Sequence, residues 1–156
     1  ERHFLEEADG VWTYRRHFDL PIALVWDALT APELKQRWMD SMLSVSVDRP
    51  EGRIGTGSAY HCAHEAADFF YRITDWEPFE YFSTRINDPM HDGVSMPETY
   101  HLTQTETGTE LRYTMGQAHD AEGKRSEPAE EGTAGFLSEF WPLSFDAMDL
   151  QLKAAD

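Results

Sequence analysis

The spacing of apolar residues near the start of the chain changes from alternating to helical. Residues 11–18 alternate between apolar and polar side chains, which predicts a strand. Residues 22–29 carry apolar side chains at helical spacing directly after Pro21, which predicts a first short helix. The sequence Thr-Ala-Pro-Glu at 30–33 resembles a capping box, so we expect a second short helix to begin there.

From residue 42 the period becomes two, and apolar positions alternate with polar ones in most segments up to residue 116. The pattern predicts six further strands, over residues 42–47, 57–64, 69–74, 79–86, 99–105 and 110–116. A Glu-Thr-Gly turn at 106–108 joins the last two strands as a hairpin. Residues 87–97 are rich in proline, glycine and methionine, so we expect a loop there.

The end of the chain combines an acidic stretch with a helical apolar stripe. Residues 118–132 have no apolar face and carry several carboxylates, a proline and two glycines, so we expect a flexible acidic loop. The stripe that follows predicts a long helix, packed on the sheet through Leu137, Trp141 and Met148. Pro142 interrupts this pattern, and we expect a kink or a break there.

These elements predict one α+β domain over residues 1–156, in which a curved antiparallel sheet of about six to seven strands grips the long helix. A curved sheet and a single helix cannot touch along their whole length, so we expect a hollow between them. Aromatic residues make up 13% of the chain. Aromatic side chains suit the wall of such a cavity because they offer large apolar surfaces.

Charge and cysteine content narrow the classes of partner. The net charge of -16 repels nucleic acids and anionic membrane surfaces, so we expect neither, whereas a basic protein partner stays open. No apolar run has the length of a membrane span, so we expect no membrane insertion. Cys62 is the single cysteine, which favours a reducing, cytoplasmic location. The chain begins with Glu1 rather than methionine, as expected of a processed chain or of part of a longer protein.

The segment from Tyr60 to His64 is the most reactive in composition. His61 and His64 are three residues apart on a strand and point to opposite faces, so they cannot chelate one ion together. We therefore expect neither a metal nor any other cofactor. Tyr60, Cys62 and His64 share a face, and we assign all three to the ligand-binding cavity. We assign no catalytic residue, because Cys62 and His64 are about 7 Å apart at Cα on a strand.

Four tyrosines lie on four different predicted strands and suit a cavity wall, since each joins a large ring to a polar hydroxyl. They are Tyr60, Tyr71, Tyr100 and Tyr113. We expect all four, together with Trp141, to line the cavity. Arg85 is a further candidate with two alternatives: facing inward it would bind a ligand carboxylate, and facing outward it would be a surface charge.

Two motifs resemble a known family. The sequence from Phe18 to Glu33, with Pro21, VWDALT at 25–30 and Pro-Glu at 32–33, resembles the START-like superfamily (SRPBCC, birch-pollen-allergen-like), and within it the Hsp ATPase activator homologues. Asp-Trp-Glu-Pro at 75–78 is similar to the E-I-x-P element of that branch. The resemblance covers residues 11–153. It implies a helix-grip fold with a cavity between the sheet and the long helix, and carries over no catalytic motif.

Three functions remain open, because members of this superfamily bind lipids, sterols, polyketides or hormones, act as cyclases or hydrolases, or regulate partner proteins. The first hypothesis is non-catalytic binding of a small hydrophobic molecule of lipid, polyketide or aromatic type, and we favour it. The second is a polyketide cyclase or aromatase that uses Tyr, His and Arg groups of the cavity, and requires a convergent polar trio there. The third is a protein-binding regulator, which would present an exposed apolar patch instead of a deep hole.

Overall fold

Seven antiparallel strands form one curved sheet in the computed structural model, which describes residues 2–154. The strands are β1 (Trp12–Phe18), β2 (Met42–Asp48), β3 (Ala59–His64), β4 (Asp68–Glu77), β5 (Tyr81–Asn87), β6 (Ser95–Gln104) and β7 (Thr109–Met115). Their order across the sheet is β1-β7-β6-β5-β4-β3-β2. Every neighbouring pair is antiparallel, so the predicted α+β fold class is confirmed.

Three α-helices complete the described part of the chain: α1 (Ile22–Thr30), α2 (Pro32–Trp38) and α3 (Glu127–Ala154). The predicted stripe on α3 is confirmed, because Leu137, Trp141 and Met148 are all buried against the sheet side of the core. The helix runs unbroken through Pro142, so a break at that position does not occur. None of the helices in residues 2–154 has both the length and the apolar composition needed to cross a membrane.

The predicted capping box at 30–33 is wrong. Thr30 is the last residue of α1, and its Oγ1 donates a hydrogen bond to the carbonyl oxygen of Trp26 at 2.8 Å. That hydroxyl is therefore engaged with the preceding helix. Ala31 precedes α2 without a side-chain cap, and Pro32 occupies the first helical position, where its missing N–H is tolerated.

The acidic stretch is also more structured than its composition indicates. Helix α3 begins at Glu127, so the loop prediction is wrong for residues 127–132. Ser126 Oγ accepts a hydrogen bond from the amide of Ala129 at 3.3 Å, as an N-terminal cap does. The carboxylate of Glu130 accepts two hydrogen bonds at 2.9 Å from the Arg125 guanidinium, which ties the loop to the helix. Flexibility of residues 118–126 stays a prediction.

The N-terminal segment (residues 2–9) packs against the outer face of the sheet, opposite α3. Phe4 lies edge-on to Tyr81, with ring centroids 4.7 Å apart. The amide of Leu5 donates to Thr99 Oγ1 at 2.9 Å. Ser83 and Thr99 lie beneath this segment, are 1% and 0% exposed, and share a hydrogen bond of 2.7 Å. The middle of the sheet is therefore covered on both faces.

Candidate functional site

A cavity opens between the first half of α3 and the inner face of the sheet, where the sequence predicts a hollow. Its outer chamber has a volume of about 330 Å³. Its lining includes the β3–β4 turn at 65–67, residues 87–91 at the end of β5 and in the following loop, and residues 132–133 of α3. The chamber lies within the size range of small-molecule sites, which starts at about 300 Å³.

Aromatic rings mark the passage from the outer chamber to a smaller inner recess of about 60 Å³. His64, Phe69, Phe136 and Phe140 line both spaces. The rings of Phe136 and Phe140 stack with centroids 5.0 Å apart, and His64 meets Phe140 edge-on at 5.8 Å. The outer chamber and the inner recess therefore share walls and form one continuous site.

His64 is held in one orientation at this passage. Its Nδ1 donates to the carbonyl oxygen of Asp40 at 3.1 Å. Burial lowers the pKa of His64, although the backbone hydrogen bond at Asp40 opposes this effect. A neutral imidazole with Nδ1–H engaged leaves Nε2 as an acceptor. His64 therefore offers an apolar ring with one polar atom.

Lys35 lies at the inner recess, although its side chain belongs to a type that is rarely buried. The residue is 3% exposed. Its Nζ donates to the carbonyl oxygen of Leu29 at 3.3 Å and lies 5.3 Å from the ring centroid of Tyr71. Burial lowers the pKa of Lys35, while a negative charge on Glu98 opposes that shift. The recess therefore holds a poorly solvated amine.

Glu98 is the second ionisable group of the recess and is 4% exposed. Thr84 Oγ1 donates to its Oε1 at 2.8 Å, and the hydroxyl of Tyr113 donates to its Oε2. Burial raises the pKa of Glu98, while these two donors and the Lys35 charge oppose the rise. A carboxyl and an amine with perturbed pKa values thus share one apolar recess, which is a recognised mark of functional sites.

Five of the eight residues assigned to the site from sequence line the inner recess: Cys62, His64, Tyr71, Tyr100 and Trp141. Burial raises the pKa of the Cys62 thiol, which disfavours the thiolate that a nucleophile needs. Burial also raises the pKa values of Tyr71 and Tyr100 well above the ordinary range, so both phenols are neutral donors. Their roles as ligand contacts stay predictions.

The remaining three do not line the cavity. Tyr60 stacks behind Tyr71, and its hydroxyl donates to the carbonyl oxygen of Thr30 at 2.7 Å. Tyr113 is fully buried and reaches the recess only through its hydrogen bond to Glu98. Both tyrosines point to the expected face, but neighbouring side chains lie between them and the cavity.

Arg85 takes the outward alternative. It is exposed, and its Nη1 donates to Ser95 Oγ at 3.0 Å. Its β5 neighbours Thr84 and Ile86 face inward, and period two along a strand therefore turns Arg85 away from the cavity. Since it lines neither the chamber nor the recess, Arg85 is not a cavity residue.

Lys35 and Glu98 were missed from the sequence, although each carries a recognisable signal. Lys35 is three residues before Trp38 and so lies on the buried face of α2. Glu98 is two residues before Tyr100 and shares its face of β6. Both residues are charged and stand at positions that the apolar periodicity marks as buried. That combination is the signal that would have identified Lys35 and Glu98 from the sequence.

His61 is separated from His64 by the sheet, as the spacing of three predicts. Its Nε2 lies 3.3 Å from Asp68 Oδ1, and its ring stacks on exposed Phe70 at 4.3 Å. Within residues 2–154, no cluster of three or more His, Cys, Asp or Glu side chains has the arrangement of a metal site. That the protein needs no metal or cofactor stays a prediction.

Several solved structures share the fold of this chain. Protein MLL2253 from Mesorhizobium loti has a similar structure, with a TM-score of 0.72 and 23% identity over 93% of this chain and 98% of that one. Ara h 8.0201 gives a TM-score of 0.69 and 13% identity, over 92% of this chain and 97% of that one. DynU16, a putative protein in the dynemicin biosynthetic locus, gives 0.64 and 16%, over 92% of this chain and 47% of that one.

At these identities the likeness shows the fold alone. No curated protein matches the chain. The family model described as activator of Hsp90 ATPase homolog 1-like protein matches residues 19–152, which is most of the sequence. The superfamily and branch that the motifs at 18–33 and 75–78 predict are thereby confirmed. With its helix-grip fold and this match, the chain belongs to the activator of Hsp90 ATPase homolog 1-like protein family.

Proposed function

We propose that the protein binds a small, mostly apolar molecule in the cavity between the sheet and α3. The observation that carries this proposal is the continuous site itself: an outer chamber of about 330 Å³ leads past aromatic rings to an inner recess with a few polar groups. Pockets for small molecules combine predominantly apolar walls with a small number of placed polar atoms. The described geometry has both properties.

The walls favour a ligand with a flat ring system over a simple alkyl chain. Phe69, Phe136 and Phe140 flank the passage, and Tyr71 and Tyr100 line the recess. Aromatic side chains interact favourably with other rings by stacking and edge-on contacts. Of the ligand types open from the sequence, an aromatic or polyketide-like molecule therefore fits better than a lipid tail.

A matched pair of variants on β5 tests this proposal. Ile86 lines both the chamber and the recess, whereas Arg85 beside it points outward. Ile86→Trp adds bulk inside the cavity, and Arg85→Trp adds comparable bulk outside it. Titration with a polarity-sensitive fluorescent dye should give saturable binding to the unmodified protein and to Arg85→Trp. Binding to Ile86→Trp should be at least about tenfold weaker, because the cavity is filled.

Circular dichroism establishes that both variants keep their fold before binding is compared. If the dye does not bind saturably to the unmodified protein, or if Ile86→Trp binds it as tightly as Arg85→Trp, then the cavity is not the binding site. Native mass spectrometry of protein purified from its own organism would then identify a retained ligand directly by its mass.

A second candidate function is acid–base catalysis on a polyketide-like substrate, and the pairing of Lys35 with Glu98 in one recess favours it. Perturbed titratable groups are the usual agents of proton transfer. DynU16, which shares the fold, is described as a protein of the dynemicin biosynthetic locus. If this candidate is right, the protein converts a poly-β-carbonyl compound, and Glu98→Gln abolishes turnover but still binds the compound. If the unmodified protein does not convert such a compound, this candidate function is rejected.

The regulator hypothesis draws its support from the family description and from the charge of -16, which suits a basic partner. It requires a docking surface rather than a deep cavity, and the presence of the cavity favours the ligand-binding proposal instead. We also infer a cytoplasmic location, which the buried free thiol of Cys62 supports.

A further inference from the structure

Several of the polar groups that line the inner recess offer N–H or O–H donors that no protein group engages. Lys35 Nζ makes one hydrogen bond, to a backbone carbonyl, and has three N–H groups to offer. Within residues 2–154, the hydroxyls of Tyr71 and Tyr100 do not donate to any protein group. The indole N–H of Trp141, another recess residue, is buried and also unpartnered.

Acceptors in the recess are fewer than donors, because Glu98 already has a donor at each oxygen and His64 offers only Nε2. Glu98 accepts from Thr84 through Oε1 and from Tyr113 through Oε2. A ligand that brings another donor would find only the second lone pairs of Glu98 and His64 Nε2, and a cationic one would also meet the Lys35 amine. A ligand that brings an acceptor would meet the Lys35 amine and the Trp141 indole N–H, which burial has already separated from water.

From this imbalance we infer that the recess binds a hydrogen-bond-accepting oxygen of the ligand, a carbonyl or a carboxylate, with Lys35 as its principal donor. The inference rests on the proposed function and specifies the ligand class for that same cavity. The amine gives a charge-assisted hydrogen bond when it is protonated, and such bonds are shorter and stronger than neutral ones. The phenols of Tyr71 and Tyr100 supply further donors around the same oxygen.

The charge of the outer chamber distinguishes a carbonyl ligand from a carboxylate ligand. Asp40, Glu65 and Asp88 line the outer chamber, and the whole chain carries a charge of -16. A carboxylate ligand enters against this negative potential, whereas a neutral ketone does not. The structure therefore favours a carbonyl compound, and a carboxylate would bind with an affinity that improves as salt screens the entrance.

Four naphthalene probes of similar size test the inference: 2-acetonaphthone, 2-naphthoate, 2-ethylnaphthalene and 2-naphthylmethylammonium. They share one ring system and differ in the polar group. Their affinities are measured by competition with the fluorescent dye. We expect the ketone to bind about tenfold tighter than 2-ethylnaphthalene, as one good hydrogen bond allows, and the ammonium to bind weakest.

Lys35→Met removes the principal donor and keeps the length of the side chain. We expect it to bring the ketone and 2-ethylnaphthalene within about twofold of each other, while 2-ethylnaphthalene still binds. Lys153→Met is the matched control, because Lys153 is exposed near the end of α3 and pairs with Asp149 there. Its ranking of the four probes should equal that of the unmodified protein.

The outcomes separate this inference from the proposed function. If 2-ethylnaphthalene binds as tightly as the ketone and the naphthoate, or the ammonium binds tightest, the inference fails while binding in the cavity stands. If neither the dye nor any probe binds, both fail. Should Lys35→Met not fold, Tyr100→Phe replaces it, because it removes one of the further donors: the advantage of the ketone over 2-ethylnaphthalene should shrink, and an unchanged advantage contradicts the inference.

Discussion

The hydrogen bond between Tyr113 and Glu98 should make the stability of the protein depend on pH in a defined direction. Tyr113 is 0% exposed, and its hydroxyl donates to a carboxyl that is itself buried. In Tyr113→Phe, Glu98 keeps one donor, Thr84, at 2.8 Å. A hydrogen bond to a charged group is worth about 1.5–3 kcal/mol and one between neutral groups about 0.5–1.5 kcal/mol. We therefore expect a loss of about 2 kcal/mol when Glu98 is ionised and about 1 kcal/mol when it is protonated.

The sign of the pH effect follows from the raised pKa of Glu98. Between the unfolded value of 4.5 and the higher folded value, the folded state holds a proton that the unfolded state has released. Stability therefore falls as pH rises through this window, and burying the carboxylate remains unfavourable above it. Loss of the Tyr113 donor raises the folded pKa further, so the variant should lose more stability than the unmodified protein.

Urea unfolding at about pH 5 and about pH 8 measures both effects, because the midpoint should fall by about 1 M for a loss of 2 kcal/mol at a typical slope. Tyr100→Phe is the matched control, since its hydroxyl does not donate to a protein group and its removal should change stability by less than about 0.5 kcal/mol. Equal losses in the two variants, or a loss in Tyr113→Phe that does not grow with pH, would refute the reasoning.

Three further changes have expected outcomes of their own. Lys35→Met should raise the free energy of unfolding near pH 7 by about 1 kcal/mol in urea titrations, because a buried ammonium is removed. The gain should shrink as pH rises towards the unfolded pKa of 10.5, and above that pH neither state is protonated. Gly108→Ala should lower stability by about 3 kcal/mol, since the Cβ of the alanine would lie 2.1 Å from a backbone oxygen. Gly135→Ala should raise stability by about 0.5–1 kcal/mol, because nothing lies close to that position of the helix. A shift of the melting temperature in the same direction for both variants would contradict this. Cys62 should react with an aromatic disulfide reagent far more slowly in the folded protein than in urea, and equal rates would show that the thiol is accessible.

The periodicity of apolar residues was enough to predict the fold, because the same periodicity is visible in the buried faces of the sheet and of α3. The apolar stripe from Leu137 to Met148 repeats every three or four residues, and the structure buries those positions. The alternation in β1 and β3–β7 likewise indicated the inner and outer faces correctly enough to bring Tyr71 and Tyr100 to the recess. A local pattern gives the face on which a side chain lies but not its distance from the cavity. The sequence therefore could not show that Tyr60 and Tyr113 lie behind the residues of the cavity wall.

Proline explains the most consequential error. A proline inside a central strand is unusual because it lacks the N–H that the sheet requires, so the predicted loop extended through Pro97. In the structure Pro97 lies inside β6, opposite Arg85 of β5, and its carbonyl oxygen accepts from Gly116 at 2.9 Å. Placing residues 95–97 in a loop and beginning the next strand at residue 99 concealed the inward direction of Glu98, and with it the polar end of the cavity.

The N-terminal segment has a practical consequence for anyone who expresses this protein. The family match starts at residue 19, after the first strand has ended. A fragment cut at that boundary would lack β1 and leave β7 as a bare edge, which is prone to aggregation. A cut at residue 11 would keep β1 but uncover the Ser83–Thr99 pair on the outer face. Fusion tags and truncations should therefore leave Phe4 and Leu5 free to dock, even though the cavity lies on the opposite side.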